Sequence, residues 1–100
     1  MRYSETEPFK THAKRVMGLH YESKSGYLYS IGEDGHFKVT EFNSRNVIHD
    51  IIPSKTGLKQ MIYDSNRAVF IIGDGEGYIY VYSCLSVINL AFPNIQILCI

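Results

Sequence analysis

One hundred residues allow at most one ordinary small domain, and 45% apolar with 20% charged side chains is a globular balance that excludes wholesale disorder. Ten basic and ten acidic side chains cancel, so no broad electrostatic field recommends nucleic acid or an acidic membrane as a partner. Eight Tyr and five Phe without a Trp, beside many Ile and Val, favour half-buried strands over helices.

The polar start, Met1 to Pro8, lacks the apolar core of a signal peptide. Val16 to Tyr21 alternates with a period of two and predicts a strand buried on both sides. Glu22-Ser23-Lys24-Ser25-Gly26 is a turn by composition, Tyr27 to Ile31 a second strand, and Gly32-Glu33-Asp34-Gly35 a tight turn into a third over His36 to Phe42. Asn43 to Asn46 turns again, with Val47 to Ile52 as a fourth. The series then restarts: Pro53 to Gly57 is a loop, Leu58 to Tyr63 a strand, Asp64 to Arg67 a turn and Ala68 to Ile72 a strand. Gly73 to Gly77 is a turn, and Tyr78 to Tyr82 a clear alternating strand. Ser86 to Phe92 would supply a further strand and Ile95 to Ile100 begin another. No segment carries a capped helical period, so the fold class is an all-β meander.

Within the two halves an apolar strand, a Gly/Asp turn and an alternating strand recur. Gly35 and Gly77 stand 42 positions apart, as do Val39 and Val81. A period of 40–45 residues enclosing strand–turn–strand units is the mark of propeller blades. Here the residues resemble WD40 repeats over roughly positions 10–83. His12 stands where those repeats place a His, and Gly32-Glu33-Asp34-Gly35-His36-Phe37-Lys38-Val39 looks like the run leading to their Trp-Asp. The resemblance implies antiparallel four-stranded blades of a WD40-type β-propeller, about two of them, in an incomplete ring. It implies a linker or the end of a preceding blade at 1–9, one repeat at 10–52 and a second at 53–92. The tail at 93–100 then starts a further blade or marks a truncation. It also implies that His12, Ser30 and Asp34 take three places of a structural hydrogen-bonded tetrad. Thr40-Glu41 and Tyr82-Ser83 stand in the Trp-Asp places, and Ser54 stands 42 residues beyond His12, so the second set is incomplete. A weaker likeness is to the WD40 part of proteins that also carry a FYVE finger, through His12, Arg15-Val16, Asp34, Phe37 and Val69-Phe70-Ile71 to Gly73-Asp74. The chain has no FYVE cysteine cluster, so that lipid binding is not carried over.

Several groups invite sharper chemistry. Gly73-Asp74-Gly75-Glu76-Gly77 could cradle a phosphate, but a strand follows rather than a helix, and no Lys or Arg follows Arg67. The turn glycines Gly32, Gly35, Gly73 and Gly77 read instead as hairpin residues. His12, His20, His36 and His49 show no metal spacing, and Cys84 and Cys99 read as free thiols in a reducing, cytoplasmic compartment. Tyr78, Tyr80 and Tyr82 share a strand face and are expected to pack between blades. Residues 77–100 carry no charge, a length that could span a bilayer, but Pro93, Asn89, Asn94 and Gln96 argue for strands.

The expected function is a non-catalytic scaffold that meets a protein or peptide partner through strand-connecting loops, with Glu22, Lys24, Glu33, Lys55, Asp74 and Glu76 as candidate contacts. No catalytic residue, metal ligand, cofactor or nucleic-acid partner is expected. Either further blades or self-association would be needed to close a ring. The alternative is a propeller adaptor for a phosphoinositide or membrane surface, which would need Lys14, Arg15, Lys55 and Lys59 gathered into a basic pocket.

Overall fold

A computed structural model describes residues 7–83 and, at the level of backbone pairing, 97–99. Among them every regular element is a strand: β1 (Val16–Glu22), β2 (Tyr27–Gly32), β3 (Phe37–Glu41), β4 (Val47–Ile51), β5 (Leu58–Asp64), β6 (Val69–Asp74), β7 (Ile79–Ser83) and β8 (Ile97–Cys99). Their bounds lie within two residues of those read from composition and periodicity through β7. The first four form one sheet in the order β1-β2-β3-β4, and the rest a second in the order β5-β6-β7-β8. All neighbours from β1 to β4 and from β5 to β7 are antiparallel, as short turns between consecutive strands require.

The 42-residue period is built into the backbone as well as the sequence. A bulge interrupts pairing between Val16 and Gly18 on β1, and again between Leu58 and Gln60 on β5. The Gly32 amide donates to the His36 carbonyl at 3.1 Å, and the Asp74 amide to that of Tyr78 at 3.1 Å. The Glu33 amide reaches Arg15 O at 2.8 Å, and the Gly75 amide reaches Gly57 O at 3.2 Å. Each of these pairs is offset by 42. Gly35 and Gly77, at φ +83° and +92°, occupy the left-handed turn position that side chains disfavour. Gly26 and Ala68 form another left-handed pair at the same offset.

The two sheets pack face to face. On the first, alternation turns Tyr29, Ile31, Phe37 and Val39 inward; on the second, it turns Met61, Tyr63, Phe70, Ile72, Tyr80 and Tyr82 inward. The seam is aromatic: ring centroids are 4.3 Å apart for Tyr29 and Phe70, 5.5 Å for Phe37 and Phe70, and 5.4 Å for Phe37 and Tyr82. His20 lies within it, 4.6 Å from the Tyr63 ring. Tilted and edge contacts at these distances suit the ring quadrupoles and add to apolar burial.

Three expectations need correction. The first strand is buried on one side only: Leu19 and Tyr21 point away from the second sheet and are 64% and 50% exposed. Alternation of apolar residues says that both faces could be covered, not that both are. Tyr78 does not join the packed ladder. It precedes β7 in the turn and is exposed, while Tyr80 and Tyr82 face the first sheet. In the second sheet, β8 lies parallel to β7, with Val81 opposite Ile97. The sheet is therefore antiparallel from β5 to β7 and parallel at its β8 edge. A parallel neighbour cannot follow through a two-residue hairpin, and residues 84–96 separate the two strands. The strand expected at Ser86 to Phe92, and the thiol of Cys84, lie outside the described residues.

Candidate functional site

Chain direction alternates from strand to strand, so the connections sort to two ends of the sheets. One end carries residues 11–15, the 33–36 turn, the 52–57 loop and the 75–78 turn; the other carries 23–26, 42–46 and 65–68. Of the residues read as contact candidates, Glu33, Lys55, Asp74 and Glu76 share the first end, while Glu22 and Lys24 sit at the opposite one. Glu22 is a turn residue in practice, since its Oε1 accepts the Ser25 amide at 2.9 Å and its carbonyl the Gly26 amide at 2.9 Å.

At the first end His12 reaches back across the first sheet. Its Nδ1 lies 3.1 Å from Asp34 Oδ1, and its Nε2 lies 2.8 Å from Ser30 Oγ. The carboxylate can only accept, so Nδ1 carries a proton; a neutral ring then accepts the Ser30 hydroxyl proton at Nε2. Asp34 also receives the Ala13 amide at 3.0 Å and the His36 amide at 3.2 Å. Burial alone would raise the Asp34 carboxyl. The two amides and the His12 ring outweigh it and hold the group below its ordinary 3.8. His12 and Ser30 are 2% and 1% exposed and so closed off from water, while Asp34 is half-buried at the turn, and every member is bonded. The segment before β1 is held by Lys38 Nζ on the Thr11 carbonyl, by Arg45 on the Glu7 carbonyl at 2.7 Å, and by the Arg45 guanidinium over the Phe9 ring at 4.8 Å.

The second repeat holds a different polar set at the same place. Asp74 accepts the Glu76 and Tyr78 amides at 2.9 and 3.0 Å and the Tyr80 hydroxyl at 3.0 Å. Partial desolvation would raise its carboxyl; a hydroxyl bond from Ser54, the Tyr78 and Glu76 amides and the Tyr80 hydroxyl pull it down to about 2. Ser54 Oγ also contacts Thr56 Oγ1 at 2.9 Å. Ser54 thus stands where His12 stands in the first repeat, beside the turn carboxylate. Sequence reading treated Asp74 as a contact residue and missed this role; the pairing of Ser54 with a Tyr across the sheet has no local signal.

No protein-family model, curated protein or solved structure matches the chain.

Among the described residues the remaining ionisable groups form no concentrated centre. Among the described residues no three His, Cys, Asp or Glu side chains converge as a metal site would require. His36 pairs with Asp50 at 2.7 Å, and His49 is exposed on β4. Lys14, Arg15, Lys55 and Lys59 do share one end of the sheets, but Glu33, Asp34, Asp74 and Glu76 are interleaved with them, and Lys59 lies 3.9 Å from Glu33. Such mixing cancels the field that an anionic headgroup would follow. No helix among the described residues is long and apolar enough to cross a membrane.

Proposed function

We propose that the chain is a non-catalytic scaffold of WD40 type, in which two stacked blade-like sheets present the 33–36, 52–57 and 75–78 connections to a protein or peptide partner. The observation that carries this reading is how the polar residues are used. Ser30, His12 and Asp34 have the composition and hydrogen-bond order of a hydrolytic triad, yet Ser30 Oγ is buried beneath the His12 ring. A nucleophile needs a path for substrate and an oxyanion site about 3 Å away, whereas this hydroxyl ties a strand to a crossing segment. The bulge, turn and amide bonds repeated at 42 residues support stacked blades of one kind. Rigid sheets with polar connections at one end suit recognition, because loops held by a scaffold can vary without loss of the core.

A phage-displayed peptide library panned on the immobilised chain tests the reading. Selected peptides are expected to lose binding to the Glu33→Lys/Lys55→Glu variant and to keep it with Glu22→Lys at the opposite end. Binders indifferent to the first variant would overturn it. Co-sedimentation with phosphoinositide-containing vesicles, abolished by Lys14→Glu/Lys55→Glu, would instead favour the lipid-surface alternative.

A further inference from the structure

The offset that relates the repeats also relates their faces. Advancing the buried face of the first sheet (Tyr29, Ile31, Phe37, Val39) by 42 gives Ile71, Gly73, Ile79 and Val81, the outer face of the second. Moving the packed face of the second sheet (Met61, Tyr63, Phe70, Ile72, Tyr80, Tyr82) back by 42 gives Leu19, Tyr21, Leu28, Ser30, Lys38 and Thr40, the outer face of the first. Each sheet therefore has one face of each kind, and the internal seam joins one kind to the other. The two faces left over are complementary in the same sense, the first sheet's carrying Thr11 and His12 over Lys38 and Ser30 and lying open at Leu19 and Tyr21.

We propose that a second copy of this chain seats the outer face of its first sheet on the outer face of the second sheet, repeating the internal seam head to tail. Phe37 is fully buried in the seam, while its 42-residue counterpart Ile79 is 70% exposed, beside Ile62 at 57%. Gly73 stands where Ile31 fills the seam, and with Gln60, Ile62, Ile71 and Ile79 it lines an open cavity of about 230 Å³. The turns show the same difference. A side-chain carbon at Gly35 would meet the Ser54 carbonyl at 2.7 Å and that of Thr56 at 3.2 Å, so the following loop fills that socket; at Gly77 nothing lies within 4 Å. The counterparts of Ser54 and Thr56 are His12 and Lys14. A repeated seam would therefore bring exposed Lys14 and Arg15 of the incoming copy to the turn that carries Asp74 and Glu76. The charges are opposite, which favours this orientation over one that joins two identical faces. A heterologous contact of this kind propagates into a closed ring or an open filament, whichever its rotation allows.

The inference rests on the blade reading of the two sheets and not on the peptide site, which the panning experiment tests separately. Two variants of the full chain decide it by sedimentation velocity and light scattering: Ile62→Lys/Ile79→Lys blocks one face, and Leu19→Glu/Tyr21→Glu the other. The unaltered chain is expected to form assemblies larger than a dimer at high micromolar concentration. Each variant alone is expected to be monomeric, and an equimolar mixture to form a dimer and nothing larger, since each retains one competent face. Lys14→Glu/Arg15→Glu should weaken assembly and Glu76→Lys on the partner should restore part of it. A monomeric parent chain, or folded variants whose mixture stays monomeric, overturns the proposal; so does a parent that stops at a dimer. Circular dichroism establishes folding, and Ile79→Thr with Leu19→Thr replaces any variant that loses its strand signal.

Discussion

Phe37 and Ile79 hold the same place in the two repeats and meet opposite surroundings, which makes them a matched pair for testing the seam. Phe37 is fully buried among Tyr29, Phe70 and Tyr82; Ile79 is mostly in water. Truncating a buried Phe to Ala removes its transfer free energy and leaves a cavity, together about 3–5 kcal/mol. The rings around Phe37 are held by one another, so collapse into the space is limited and the upper half of that range applies. A small domain has only about 5–15 kcal/mol in all, so the loss is a large fraction of the total. At a urea slope of about 1.5 kcal/mol/M the unfolding midpoint of Phe37→Ala should fall by about 3 M. Ile79→Ala should move it by no more than about 0.3 M, the surface value, when measured dilute enough to keep the chain dissociated. Equilibrium urea unfolding followed by tyrosine fluorescence and far-ultraviolet dichroism gives both numbers. Equal shifts in the two variants, or a Phe37→Ala midpoint near that of the parent, would refute the packing of the two sheets described above.

Acid should loosen the Asp74 turn over a defined window. A carboxyl held below its ordinary value in the folded state stabilises the fold above that ordinary value, and the contribution fades as pH falls through the folded one. For Asp74 this window runs from 3.8 down to about 2, and Asp74→Asn should flatten the urea midpoint across it relative to the parent; an unchanged slope would contradict the Ser54 and Tyr80 bonds. Gly35→Ala should destabilise more than Gly77→Ala: both pay the left-handed backbone strain of about 1–3 kcal/mol, but only the first also pushes a carbon against the Ser54 carbonyl. Thermal unfolding that ranks them in reverse counts against the loop position. Thr40 Oγ1 is buried without a hydrogen-bond partner, so Thr40→Val, which keeps the shape and removes the hydroxyl, should be neutral or stabilise by up to about 1 kcal/mol; a loss of more than that would mean the hydroxyl is bonded.

The strands were legible because period-two alternation and Gly/Asp/Asn turns are local signals, and β1 to β7 are connected locally. Gly35 and Gly77 show why: a tight turn needs positive φ, and glycine announces it. Arg45 and Ala68 adopt positive φ with no such announcement, and Ala68 is recognisable only once Gly26 is seen to be its counterpart. What alternation does not say is which face finds a partner, so Leu19 and Tyr21 read as buried and are exposed. Among the site residues, Asp34 lies in a recognisable turn, but that His12 crosses to it over 22 residues is a tertiary fact. Asp74 looked like a free loop acid because Ser54 lies 20 residues before it and Tyr80, though six residues on, reaches back to it only once the turn has formed.

The arrangement of contacts has a kinetic consequence. From β1 to β7, strands paired within a sheet are neighbours in sequence, so each meander closes only short loops and can form quickly on its own. A single blade-like sheet cannot bury its apolar face alone, so each meander forms only transiently before it finds the other. Cooperativity must therefore arise when Phe37, Tyr29 and His20 meet Phe70, Tyr63 and Tyr82. The rate-limiting event on this view is the docking of two preformed meanders across the 52–57 loop. Its transition state would already contain the hairpins but little of the aromatic seam, so seam truncations would act chiefly by hastening unfolding.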